Sequence, residues 1–103
     1  MKKVYVAHPY GCNMAEKADV ERIIKALVKA DPDTLYISPI HATGYLYESV
    51  PYLKGIEWCY ELLSMCDVLL LTGHWDTSPG CLLEKADAEK RGIPIEYLNG
   101  GSV

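Results

Sequence analysis

Residues 73–84, GHWDTSPGCLLE, bring a His, a Trp, an Asp, a Ser-Pro-Gly step and a Glu together directly after the most apolar run of the chain. Ser78 is a favoured helix-capping residue and Pro79 a favoured first helical residue. Gly80, without a Cβ, lets a ligand come close to the backbone. A helix starting here would turn free N–H groups and its positive dipole end toward an anion such as a phosphate. Ordinary capping accounts for the same three residues equally well. Glu84 follows Gly80 by one turn on the same helix face. No Lys or Arg stands three or four residues from it, and Leu82, Leu83 and Ala86 are its neighbours. Its carboxylate therefore reads as bordering the core, where a nucleophile would be useful; a solvated helix Glu is the plainer reading.

The three histidines each fall just past the end of an expected strand: His8 after the first, His41 after the second and His74 after the third. In a parallel sheet all three would face one rim, although polar residues belong in surface loops in any case. A three-histidine metal centre is the sharper version of this idea, but its ligands would come from three loops with no H-x-x-x-H pair to set geometry. No metal and no cofactor is expected. There is no G-x-G-x-x-G and no G-K-[ST], so the dinucleotide and P-loop readings are weak. His8 and Pro9 stand where a response regulator would need acidic residues.

The elements that position these residues are legible. Lys3 to Ala7 is a β-prone run stopped by His8-Pro9. Met14 to Ala30 carries Ala18, Ile23, Ile24, Ala26, Leu27 and Val28 at helical spacing, and Asp31-Pro32-Asp33 ends that helix. Thr34 to Ser38 is a second strand, and residues 39–50 form a connection long enough to be functional. A helix begins with Pro51 in its first turn and runs to about Met65. The Asp67–Thr72 strand has a continuous apolar run that implies burial on both faces. Pro79 to Arg91 is a helix with Gly92 as its C-cap. Ile93 to Leu98 is a short last strand whose Pro94 favours a sheet edge, and residues 99–103 are a tail. Strands alternating with helices predict an α/β fold. It is a small doubly wound parallel sheet of about four strands in a flavodoxin-like or Rossmann-like three-layer sandwich, with ligands beyond the carboxyl ends of the strands.

The totals bound this reading. At 103 residues the chain suits one domain, 1–103, with a single core. A net charge of -4 speaks against binding a nucleic acid polymer, yet backbone N–H groups can still hold a small anion. Cys12, Cys59, Cys66 and Cys81 form no C-x-x-C pair and read as free thiols of a reducing compartment. The first residues do not read as a signal peptide, and the Val68–Leu71 run is too short to span a bilayer, so a cytoplasmic protein without membrane contact is expected. The absence of Phe beside eight Tyr shifts the aromatic content toward rings with a polar edge, suited to pockets and subunit contacts. The Tyr-rich segment 44–52 fits either use, and a homo-oligomer is expected for so small a sheet.

VYVAHPYG at residues 4–11, the Cys66-Asp67-Val68-Leu69 strand entry and SPGCLLEKADAEKRGIP at residues 78–94 resemble the nucleoside 2-deoxyribosyltransferase-like family. That group includes deoxyribonucleotide N-glycosidases and small uncharacterised phage and bacterial relatives. The resemblance runs through nearly the whole chain, and its most specific part is S-x-G-x-x-x-E-x-x-x-A-x-x-x-G-x-P. It implies cleavage or transfer of the N-glycosidic bond of a 2′-deoxynucleoside or its monophosphate, with Glu84 as the nucleophile and Tyr5 near it. It further implies phosphate binding at Ser78 and Gly80 and a ligand role for His41. The rim residues His8, Pro9, Tyr10, Gly11, Gly73, His74 and Trp75 complete the expected nucleoside or nucleotide site. One departure stands out. The family's supporting Asp, eight residues before the strand Asp, falls on Cys59; Glu57 and Glu61 flank it but point elsewhere on a helix. Asp76 is the nearest substitute acid. Two functions therefore stand: an N-glycosidase or deoxyribosyl transferase, and a non-catalytic nucleotide-binding or sensing module of the same fold.

Overall fold

The computed structural model describes residues 1–98; the expected tail, 99–103, lies outside the described residues. Strand β1 (Lys3–Ala7) leads through α1 (Met14–Ala30) to β2 (Leu35–Ile37). The chain continues through α2 (Pro39–Thr43), a single 3₁₀ turn (Gly44–Leu46) and α3 (Tyr52–Ser64) to β3 (Val68–Leu71). A second 3₁₀ turn (Trp75–Thr77) precedes α4 (Pro79–Arg91) and β4 (Ile95–Tyr97). The four strands are parallel in the order β2-β1-β3-β4, so the winding direction reverses between β1 and β3.

Alternation along the strands makes the three layers. Tyr5, Ala7, Leu69 and Leu71 face α3 and α4, packing with Leu63, Cys81 and Ala88. Val4, Val6, Val68 and Leu70 face the other way, onto Val20 of α1 and Ile40 of α2. All four residues of β3 are buried, as a strand covered on both faces must be. Pro94 stands just before the edge strand β4, where its missing N–H costs no ladder bond.

Three details differ from the sequence expectation. The stripe that α1 buries is Val20 with Ile24 and Leu27, at i, i+4 and i+7, whereas Ala18, Ala26 and Val28 are exposed. Pro51 is the residue before α3 (φ -56°, ψ 146°) and not part of its first turn. The 39–50 connection is largely helical, because Ser38 caps α2 by accepting from the His41 N–H and Pro39 occupies its first position.

The helix ends show why certain glycines are required. Gly92 closes α4 in the left-handed region (φ 73°), its N–H bonding back to Ala88 and Glu89 carbonyls. Gly73 also has positive φ (62°), and a Cβ there would come 2.7 Å from Cε1 of His8. At Gly92 a Cβ would meet nothing within 4 Å. Gly92→Ala is therefore expected to cost only the conformational penalty, about 1 kcal/mol. Gly73→Ala adds a clash with a buried ring and should cost about 2–4 kcal/mol. Urea unfolding of the two variants checks the order; equal losses would show that the Gly73–His8 contact carries no constraint.

Candidate functional site

The carboxyl ends of β1 and β3, where the sheet changes direction, open onto a cavity of about 380 Å³. His8, Tyr10 and Gly11 after β1 form one side, the α2–α3 segment with Tyr47, Tyr52 and Trp58 the outer wall, and Ser78 to Cys81 the end facing α4. Glu84 lies at its floor, together with Cys59.

Helix α4 explains how Glu84 gets there. Its buried residues are Cys81, Glu84 and Ala88, spaced three and four apart, so the carboxylate lies in the apolar stripe between two residues of the core. Glu84 is 5% exposed. The fully buried Tyr5 hydroxyl donates to its Oε2, from the centre of the sheet. The Cys59 thiol of α3 lies beside the carboxyl. Burial pushes the Glu84 carboxyl up from 4.5 to about 7, against the pull of the Tyr5 hydrogen bond and the neighbouring Cys59 thiol. Burial and the neighbouring carboxylate keep both partners protonated: Tyr5 well above its ordinary value, Cys59 at about 11. Cys81, buried beside them, is pushed up to about 12 for the same reasons. The arrangement is one titratable carboxyl held by neutral donors, with no cation against it among the described residues.

Position 59 does face Glu84, so where the family resemblance implies an Asp this chain presents a thiol; Glu57 and Glu61 are exposed. A thiol protonated at neutral pH donates a hydrogen bond but does not repel the ionised Glu84 as a second carboxylate would.

The wall is aromatic. Tyr10 and Tyr47 meet edge to face with centroids 5.6 Å apart, and Tyr47 meets Tyr52 at 6.2 Å. Gly44 is buried because Tyr10 lies over it; a Cβ would stand 3.2 Å from the ring. At the start of α4, Ser78 Oγ accepts the Cys81 N–H and the Ser78 carbonyl accepts that of Leu82. Pro79 has no N–H, so in this first turn Gly80 supplies the uncommitted donor, with the Tyr52 hydroxyl above it. No Lys or Arg lines the cavity.

The remaining expected residues are elsewhere. Pro9 is buried behind the wall. His41 lies outside the cavity, its Nε2 2.7 Å from Glu21 of α1 and its Nδ1 2.8 Å from Ser38 Oγ. Trp75 packs on Tyr97 and the α4-side core, and Asp76 is exposed on the same turn, away from Glu84. His74 Nε2 lies 2.8 Å from Glu16 Oε2. His8 is buried, with Nδ1 2.8 Å from Thr72 Oγ1 and Nε2 3.2 Å from Glu16 Oε1; burial lowers its pKa, opposed by Glu16. Glu16, Asp19, Tyr47, Tyr52, Trp58 and Cys81 were not singled out as site residues from sequence. The Tyr-rich segment pointed to two of them, while nothing local marks Glu16 or Asp19 among the other charges of α1.

The Glu84 environment has a consequence for stability. A carboxyl whose folded pKa is raised holds its proton to higher pH, so the folded protein binds more protons than the unfolded between about 4.5 and 7. Stability contributed by the neutral form is present below that window and lost as pH rises through it. Glu84→Gln removes this dependence. It should raise stability at pH 8 relative to pH 5, compared with wild type, by on the order of 3 kcal/mol. Urea unfolding of both proteins at the two pH values checks this; parallel pH dependences would mean Glu84 is not held neutral by burial.

No curated protein and no solved structure matches the chain. One family model does, over residues 2–97, which is nearly the full length of the sheet and its helices. With every strand and the whole Tyr5–Glu84 cavity inside that match, the chain belongs to the family described as Domain of unknown function (DUF4406).

Proposed function

We propose that the cavity binds a nucleoside and that Glu84 acts on its N-glycosidic bond. The observation carrying this reading is a buried carboxyl, hydrogen-bonded by Tyr5, at the floor of an aromatic-walled cavity at the sheet's switch point. Tyr10, Tyr47 and Tyr52 offer faces and edges for a base, and base–aromatic stacking contributes about 1–3 kcal/mol per base. The missing Lys and Arg, and the one uncommitted N–H that the first turn of α4 offers at Gly80, support a neutral nucleoside over its monophosphate. The chemistry balances with Glu84 ionised. Its oxygen bonds to C1′ as the C1′–N bond breaks, and the bonding pair leaves with the base, which takes a proton from water. Water or the nitrogen of a second base then attacks C1′, breaking the ester and returning Glu84 as a carboxylate. Tyr5 holds the attacking group and favours its ionised form.

Cys59 favours a second reading, a non-catalytic nucleoside-binding module, because a thiol replaces the carboxylate that the family resemblance implies. In either reading the exposed Tyr45 and Leu53, on the segments forming the outer wall, support self-association.

The discriminating experiment incubates the protein with deoxynucleosides and their monophosphates and measures released base by chromatography. The enzyme reading expects base release that Glu84→Gln lowers at least about a thousandfold. It also expects kcat/KM to rise with pH as Glu84 ionises near pH 7, with a midpoint moved higher in Tyr5→Phe, which loses the donor that holds the carboxyl down. Calorimetric binding without turnover establishes the binding module. Absence of both binding and turnover removes the two readings together.

A further inference from the structure

On the α1 side of His8, outside the cavity, the side chains of two loops converge on one helix. His8 Nε2 lies 3.2 Å from Glu16 Oε1 and 3.6 Å from Asp19 Oδ2. One donor atom from each of the three lies within 4.8 Å of the others. His74, from the loop after β3, places its Nε2 2.8 Å from the second oxygen of Glu16. The other oxygen of Asp19 is bonded by Arg22.

Hydrogen positions follow from what the threonines do. Thr72 has one hydroxyl proton, and Oγ1 donates it to the Ala7 carbonyl at 2.7 Å. The Thr72 oxygen must then accept from His8, so the His8 proton sits on Nδ1. The same pattern recurs at His74. Thr77 Oγ1 donates to the His74 carbonyl at 3.0 Å, so His74 Nδ1–H donates to Thr77. That leaves Nε2 of each ring directed at Glu16, as an N–H donor when the ring is protonated and as a ligand lone pair when it is neutral. The His8 side chain is fully buried, and its Nε2 faces only acceptors: the carboxylates of Glu16 and Asp19. An imidazole whose Nδ1–H is anchored and whose Nε2 is directed at two carboxylates can exchange the Nε2 proton for a metal ion, with Thr72 as the supporting partner. The His8–Glu16 and His8–Asp19 spacings of 3.2 and 3.6 Å agree, because bonds of 2.0–2.2 Å at tetrahedral or octahedral angles put ligand atoms roughly 3.0–3.5 Å apart.

We propose that His8, Glu16 and Asp19 bind one divalent first-row transition metal ion, with His74 holding the second oxygen of Glu16. Imidazole together with carboxylate selects ions such as Zn²⁺ or Co²⁺ over Ca²⁺ and Mg²⁺, which take all-oxygen shells. The ion takes the place of the Nε2 proton between His8 and the two carboxylates. It clamps the first turns of α1 to the loop after β1, and so holds the His8 wall of the cavity from behind. Glu16 and Asp19 do not line the cavity, so His8 is the one residue this site shares with the nucleoside reading.

The test is calorimetric titration of the thiol-reduced protein with ZnCl₂, and titration with CoCl₂ followed by visible absorption. One ion per chain is expected, with the weak absorption of nitrogen and oxygen ligands. Glu16→Gln and the more exposed Asp19→Asn should each weaken binding at least about tenfold. Glu61→Gln, on the exposed face of α3, should bind as wild type does. Far-UV circular dichroism verifies folding, and if Glu16→Gln unfolds, Asp19→Asn decides. Absence of Zn²⁺ binding at millimolar concentration overturns the proposal and assigns His8 an ordinary ion pair with Glu16. Intense Co²⁺–thiolate absorption, or affinity unchanged in Asp19→Asn, overturns it as well.

Discussion

The hydrogen bond between Tyr5 and Glu84 joins residues 79 positions apart, and much of the molecule is arranged around it. A carboxyl in a core stripe is costly unless its polar atoms are satisfied. Here the partner is a hydroxyl from the central strand, with a thiol from α3 beside it. The bond therefore requires β1 in the middle of the sheet, α4 packed across β1 and β3, and α3 beside α4. Each of these is a property of the sheet order, since only a strand with neighbours on both sides can bury Tyr5 completely.

The two faces of β1 divide the work. Tyr5 and Ala7 look toward α3 and α4, where the carboxyl and cavity floor lie, while Val4 and Val6 support α1. Past the end of the strand the alternation stops and His8 is caught between Thr72 of β3's end and Glu16 of α1. The rim is thus tied to both helical layers. Gly73 has no room for a Cβ because the His8 ring occupies that space.

Much of the fold was legible in the sequence. The helix at 79–91 carries caps that announce both ends, Asp31-Pro32-Asp33 stops the helix at 14–30, and the apolar run of β3 marks a strand covered on two faces. The boundaries that shifted are those set by contacts and not by local residue type. Pro51 has a φ that suits a helix start, but its ψ is extended, and α3 begins after it. The apolar residues of α1 admit several faces. Which stripe is buried depends on where β1 and β3 lie, and that selects Val20, Ile24 and Leu27.

The same division holds for the functional residues. The sequence alone determined that Glu84 lacks a helical partner, that Ser78-Pro79 starts a helix below it, and that a histidine follows each of the first three strands, because these are relations within a few residues. Only the tertiary structure decided that Tyr5 and Cys59 close on Glu84, that His41 turns to Glu21 and away from the cavity, and that Asp76 remains in solvent. It also decided that His8 and His74 share Glu16. Position after a strand places a side chain at the rim, but its direction is set by whichever neighbour can satisfy its polar atoms. For the buried carboxyl those neighbours lie on other elements, and for the histidines they lie on α1.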